Sequence, residues 1–286
     1  MAKRKPLAES LAQLPFFDKA AKSLYPIFET HCHLDYLKQA SFSEVAAQAN
    51  NIGVEKIMTI AVSPDNLDKV LAIAQAEEHV YCSQGVHPHD ARLYDETTRA
   101  LILSNLKDKN VRAVGEIGLD YHYDHSPRNV QRERFEEQLE IACDHNYPVI
   151  IHTRDADEDT LSILKNMLGK LKKGGVIHSY TSGKRLAEYA IDQGLFIAFN
   201  GIITFKSAEN VREILALTPL SQILLETDSP FLTPVPYRGL ENAPCYLPFV
   251  ANTLLEIKQT TAELALPLIY ENSLKLFNLE PADENI

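Results

Sequence analysis

Two histidines stand two residues apart in FETHCHLDY (28–36). In an extended strand, side chains at i and i+2 share a face and the one between points away. His31 and His33 therefore converge, and Cys32 turns toward the packed side. Two imidazoles at one point suit a metal ion, although an isolated pair also fits two half-buried strand histidines. More donors occur where apolar runs end: Glu116 in VGEIGLDY, His152 in VIIHTRDAD, His178 in VIHSYTSG and Asp228 in LLETDSP. A carboxylate or imidazole in such a place is costly unless something engages it. Singly, His152 fits a hydrogen-bonded core histidine and Asp228 the N-cap of a following helix. Together, His31, His33, Glu116, His152, His178 and Asp228 form a donor set for two divalent ions.

The two carboxylates are the expected catalytic pair. Glu116 can offer one oxygen to each cation and hold the two about 3.5–4 Å apart, as in hydrolytic two-metal sites. Asp228 would touch one cation and the attacking water, which makes it the expected general base and later the proton donor. Four imidazoles favour Zn2+, Mn2+, Fe2+ or Ni2+, whereas Mg2+ prefers oxygen. His87, with His89 in GVHPHD, fits either a substrate phosphate contact or a loop cap. Arg154 follows His152 on the same face and could bind a phosphate through its planar fork, or pair with Asp155 or Asp157. Asp120, His122 and Asp124 in GLDYHYD are expected at the rim, and Tyr180, Thr181 and Ser182 read as a turn.

Eight β-branched-rich runs must carry these residues, at 26–33, 55–63, 80–89, 111–120, 148–154, 174–180, 195–201 and 222–230. Between them lie segments with helical spacing: FSEVAAQANNIG, NLDKVLAIAQAEE, QRERFEEQLEIACDHNY, SGKRLAEYAIDQG and SAENVREILAL. In the third of these, Phe135, Leu139 and Ala142 share a face opposite the charges. Strands alternating with helices imply a parallel sheet. The runs are too continuous for a half-exposed sheet, and no glycine fingerprint follows the first, as an open doubly wound sheet would require. The expected fold is α/β: a single-domain (β/α)8 TIM-type barrel over residues 26–280, whose C-terminal strand ends carry the chemistry. Residues 1–25 form an N-terminal extension, and YENSLKLFNL (270–279) reads as a terminal helix.

Composition narrows the setting. The 286 residues are 45% hydrophobic and 23% charged, which is ordinary for a globular chain. No apolar run approaches the roughly 20 residues that span a bilayer, so no membrane partner is expected. Four scattered cysteines without a CxxC pair read as free thiols in a reducing compartment, hence a cytoplasmic protein, expected as a monomer. The net charge of −11 excludes a broad basic surface for long nucleic acid.

The blocks HCHLD, GVHPHD, GEIGLDY, PVIIHTRDA, the strand-six His178 and LLETDSPFLTPVPYRGLENAP resemble, in order and spacing, those of the TatD-like metal-dependent deoxyribonucleases. That family is a branch of the amidohydrolase-type barrel hydrolases, and the resemblance covers residues 26–280. It maps the metal ligands onto the same six residues and implies a Mg2+-dependent hydrolase of phosphodiester bonds. The implied activity is that of a deoxyribonuclease trimming DNA ends, most directly single-stranded ones. Glu29 replaces the usual Asp, HSYTSG the usual HCFSG, and Leu240 the basic residue of the RGKxN loop, which weakens one expected phosphate contact. A metal-dependent amide or ester hydrolase, such as a D-aminoacyl-tRNA deacylase, is the alternative, because the same ligands polarise a carbonyl. A non-catalytic binding scaffold is the third reading, and the intact donor set argues against it.

Overall fold

The computed structural model describes residues 23–38 and 40–280, so the N-terminal extension falls, for residues 1–22, outside the described residues. Eight parallel strands form one sheet in sequence order: β1 (Ile27–Cys32), β2 (Val54–Thr59), β3 (Val80–Gln84), β4 (Val111–Asp120), β5 (Val149–Arg154), β6 (Gly175–Ile177), β7 (Phe196–Phe199) and β8 (Ile223–Leu225). The remaining seam joins β1 to β8 and the segment after it. There Thr30 Oγ1 donates to Leu225 O (2.8 Å), Asp228 N–H to His31 O (2.9 Å) and His33 N–H to Ser229 O (2.8 Å). The architecture is the (β/α)8 barrel expected from the alternation.

Among the described residues the helices are α1 (Phe42–Asn51), α2 (Leu67–Ala76), α3 (Glu96–Asn105), α4 (Arg128–His145), α5 (Asp157–Met167), α6 (Lys184–Asp192), α7 (Glu209–Leu217), α8 (Leu247–Lys258) and α9 (Ala262–Phe277). Local sequence starts them: Ser41 and Glu44 form a reciprocal capping box on α1, and Asp95 accepts from Thr98 N–H at the head of α3. The predicted α4 face is correct, since Phe135, Leu139 and Ala142 are all buried against the barrel. The last helix begins earlier than the expected 270–279: α9 starts at Ala262 and carries Pro267 within it. No helix among the described residues is long and apolar enough to cross a membrane.

Inside the barrel, Phe28, Met58, Ile60, Ala113, Ile150, Val176, Ala198 and Leu224 form an apolar floor, backed by Tyr270, Leu274 and Phe277 of α9. Counting in twos from that floor keeps to the same face. Ile150 leads to His152, Val176 to His178, Ala198 to Asn200 and Leu224 to Glu226. Strand β4 gets there differently. Its ladder with β5 slips between Val114 and Ile117, a bulge that changes the alternation before Glu116. Gly118 (φ +141°) then runs so close to β5 that a Cβ would lie 2.0 Å from His152 O, which only glycine avoids. The expectation that strand four ends in Glu116 is therefore corrected: Glu116 is mid-strand, and Asp120 holds the end.

Candidate metal centre

The barrel brings the six predicted donors together, with Glu116 among the imidazoles. Its Oε1 lies 2.7 Å from His178 Nε2, 3.0 Å from His152 Nδ1 and 3.3 Å from His87 Nε2, and its Oε2 lies 3.3 Å from His31 Nε2. Asp228 Oδ1 stands 3.5 Å from His33 Nε2 and 3.9 Å from His31 Nε2. Donor atoms of His31, His33 and Glu116 fall within 4.8 Å of one another, as do those of His87, Glu116 and His152, and those of His31, His178 and Glu226. Asp228 caps no helix. It sits in the left-handed region (φ +57°) in the turn after β8, and the next helical turn begins at Pro244.

Whether this set fits cations is answered by what stands behind each imidazole. His33 turns Nδ1 to Ile60 O (3.4 Å), His152 turns Nε2 to Asp120 Oδ2 (3.2 Å), and His178 turns Nδ1 toward Glu226 Oε1 (3.6 Å). Each keeps its other nitrogen for the centre. A carboxylate or carbonyl behind an imidazole favours the tautomer that presents a lone pair forward, as ligating histidines require. This holds for His33 and His152, whereas His178 Nδ1 faces Glu226 without a hydrogen bond. Neither ring nitrogen of buried His31 has a hydrogen-bond partner of good geometry, although Nε2 lies 3.3 Å from Glu116 Oε2. Two unpaired nitrogens in a dry core are expensive unless a ligand satisfies them. The residues fit divalent ions.

The electrostatics agree. Burial alone would raise the Glu116 carboxyl, but the imidazoles packed around it, the charged His178 first, hold it well below the usual range. Burial opposes charge on His178 too, yet Glu116 and Glu226 push it well above that of a free imidazole. Without cations the cluster thus balances itself with imidazolium. Burial lowers His31, helped by the His178 charge. For Asp228, burial is outweighed by the hydrogen bond from His33 and by the neighbouring imidazoles, so it stays ionised.

His87 differs from the six. Its Nδ1 accepts from His89 N–H (3.1 Å), so Nε2 carries the proton, and burial pushes its pKa down to about 4. It faces Glu116 as a neutral donor. Arg154 makes no ion pair among the described residues: Asp155 accepts from His122 and Asp157 from Gly183 N–H, while the guanidinium lies over the Tyr123 ring at 4.9 Å. Cys32 is buried in the outer core, away from the centre, as alternation predicts. Thr181 and Ser182 line, with Tyr121, Asp155, Asp157 and Asp159, a cleft of about 480 Å3 between the loops after β4, β5 and β6.

The sequence reading missed a supporting layer. Asp120, expected at the rim, is buried; Oδ2 takes both His89 Nε2 (3.0 Å) and His152 Nε2, and Oδ1 accepts from the N–H groups of His122 and Tyr123. We expect Asp120→Asn to weaken metal affinity by about 10–100-fold through a loosened His152, read by metal titration of the purified variant; unchanged affinity would show that His152 needs no such support. Glu226 accepts from Ser179 N–H (2.7 Å) and Asn200 Nδ2 (3.1 Å), and Glu29 accepts from the N–H groups of His31 (3.1 Å) and Thr227 (2.9 Å).

Glu29 carries its own pH signature. Burial outweighs its hydrogen bonds with Thr227 and His31 and pushes its pKa from 4.5 to about 8. The folded state then binds the proton more tightly than the unfolded chain, so this contribution is complete below pH 4.5 and is lost as pH rises toward 8. In metal-free protein, Glu29→Gln should gain melting temperature relative to the parent as pH rises from 5 to about 8.5. A difference that stays flat across that window would show that Glu29 titrates normally.

Fold and donor set together define a metal-dependent hydrolase of the (β/α)8-barrel class. Comparison with known proteins agrees: residues 28–278 match the family model described as TatD related DNase, and the chain belongs to that family. It is 35% identical over 254 residues to YabD of Bacillus subtilis, described as an uncharacterized metal-dependent hydrolase, covering 88% of this chain and 99% of that one. YcfH of Escherichia coli K12, with the same description, is 35% identical over 261 residues, covering 89% and 96%. The crystal structure of YjjV, a TatD homologue from Escherichia coli K12, superposes with a TM-score of 0.84 at 30% identity, covering 89% and 98%.

Proposed function

We propose that the protein hydrolyses phosphodiester bonds with two divalent ions, as a deoxyribonuclease acting on single-stranded DNA ends. The observation that carries the hydrolytic part is the ring of forward-facing imidazole nitrogens of His31, His33, His152 and His178 around Glu116 and Asp228. The choice of a phosphodiester is supported by family membership. Glu116 would bridge the two ions; His31, His33 and Asp228 would hold one, and His152 and His178 the other. Bound there, divalent ions would polarise the phosphoryl oxygen and acidify water. Asp228, the more open of the two carboxylates with a side chain 15% exposed, takes the proton of the attacking water and returns it to the leaving oxygen. Neutral His87 donates Nε2–H toward a non-bridging oxygen. The imidazolium protons must leave before ions bind, so metal uptake weakens as pH falls.

Purified protein given Mg2+ or Mn2+ should shorten single-stranded oligonucleotides from one end, and elemental analysis without chelator should find bound divalent metal. Metal-loaded protein that leaves every oligonucleotide intact would overturn the nuclease reading. The second reading, an ester or amide hydrolase, gains from the cleft beside the centre, where Asp155 and Asp157, without a Lys or Arg partner among the described residues, suit a cationic amino group better than a phosphate. A D-aminoacyl-tRNA assayed in parallel separates the two.

A further inference from the structure

The β1–β8 side of the mouth carries two rings that the hydrolytic chemistry does not use. Tyr36 is 36% and Phe231 52% exposed. Neither is a loosely hung side chain. Tyr36 N–H donates to His33 O at 3.0 Å, and Phe231 N–H donates to Asp228 O at 3.0 Å, so the backbone beneath each ring is tied to a residue of the centre. The Tyr36 ring stacks on the His33 imidazole at 5.4 Å and 22°, and Phe231 meets the same imidazole edge-on at 6.3 Å and 66°. Two partly exposed rings thus flank His33, the nearer of the two imidazoles beside Asp228.

Across the mouth the surroundings are different. The cleft between the loops after β4, β5 and β6 is lined by four carboxylates. Arg185 pairs with Glu158 (2.6 Å) and Arg132 with Asp159 (3.0 Å), but Asp155 and Asp157 have no Lys or Arg partner among the described residues and oppose a phosphate chain. Tyr123, also on that side, is engaged by the Arg154 guanidinium and by the parallel His125 ring at 5.6 Å. A strand end therefore approaches over β1 and β8, where Lys69 is engaged by Asp35 and the Arg238 guanidinium lies over the Phe205 ring at 3.8 Å. Affinity has to come from something other than phosphate pairing. Stacking on aromatic rings supplies it, because every base has a π-face, and the contact tolerates sequence.

We propose that Tyr36 and Phe231 form a stacking site for the nucleobase beside the scissile phosphate, so that the protein holds a strand end by its base. The inference rests on the phosphodiesterase reading above. Its test compares a short single-stranded oligonucleotide with versions carrying a tetrahydrofuran abasic unit at either nucleotide flanking the terminal phosphodiester. At one of those positions, loss of the base should raise KM about tenfold or more, with kcat nearly unchanged. Tyr36→Leu and Phe231→Leu should raise KM on the normal strand similarly and add nothing on the abasic one, at parental metal content. Tyr36→Phe and Phe231→Tyr should retain parental KM. Equal KM for normal and abasic strands in the unaltered protein would overturn the stacking site while leaving the nuclease reading intact, even if a leucine variant failed to fold. Absence of any cleavage by metal-loaded protein would overturn the nuclease reading and the stacking site with it.

Discussion

Asp228→Asn should lose about 10²–10⁴-fold in turnover, the range for removal of a general base, and keep its fold. The fold should hold because the backbone, not the carboxylate, ties this residue to the barrel: its N–H donates to His31 O and its carbonyl accepts from Phe231 N–H. Its φ of +57° lies where Asn is at least as comfortable as Asp. The amide has nearly the same shape, so the stability change should stay within about 1 kcal/mol. Added metal should not restore the rate, since what is missing is a proton acceptor. Activity that returns as metal is raised would make Asp228 a ligand only, and activity within a few-fold of the parent would move the chemistry elsewhere. Melting temperature measured beside turnover separates these outcomes.

Glu116→Gln should fail in the opposite manner. An amide bridges two cations poorly, so bound metal should fall from two equivalents toward one, and activity should recover partly at high metal concentration. Loss of a bridging carboxylate should cost at least the 10–100-fold in affinity typical of outer-sphere partners. The metal-free variant should also be less stable, because the imidazolium that Glu116 balances is left in a buried site; breaking such a pair commonly costs about 3–5 kcal/mol. The pH dependence of that deficit follows from the two shifts. The lowered Glu116 contributes above its unfolded value of 4.5, and the raised His178 below its unfolded value of 6.5. The deficit is therefore largest between those values and shrinks as pH rises through the raised His178 pKa. Full activity with both metals retained would remove Glu116 from the bridge.

The sequence alone determined what depends on local periodicity. Eight apolar runs separated by amphipathic segments specify the barrel, and the i, i+2 rule specifies that His31 and His33 share a face, because both follow from the pleat of a single strand. Glu226 was equally legible, two residues beyond the floor residue Leu224, and Glu29 lies two before His31; extending the same count would have found them. Asp120 was not. Its inward aim depends on the slip between β4 and β5 and on Gly118 passing beside His152 O, a relation between strands that neither strand's sequence contains. Closure of the barrel decided the rest. Glu29 meets Thr227, and Asp228 meets His33, only when β1 is brought beside the end of β8, nearly two hundred positions later in the chain. The candidate donors could therefore be read from residue types along and just past the strands, whereas the partners that the supporting carboxylates meet were fixed by which strands became neighbours.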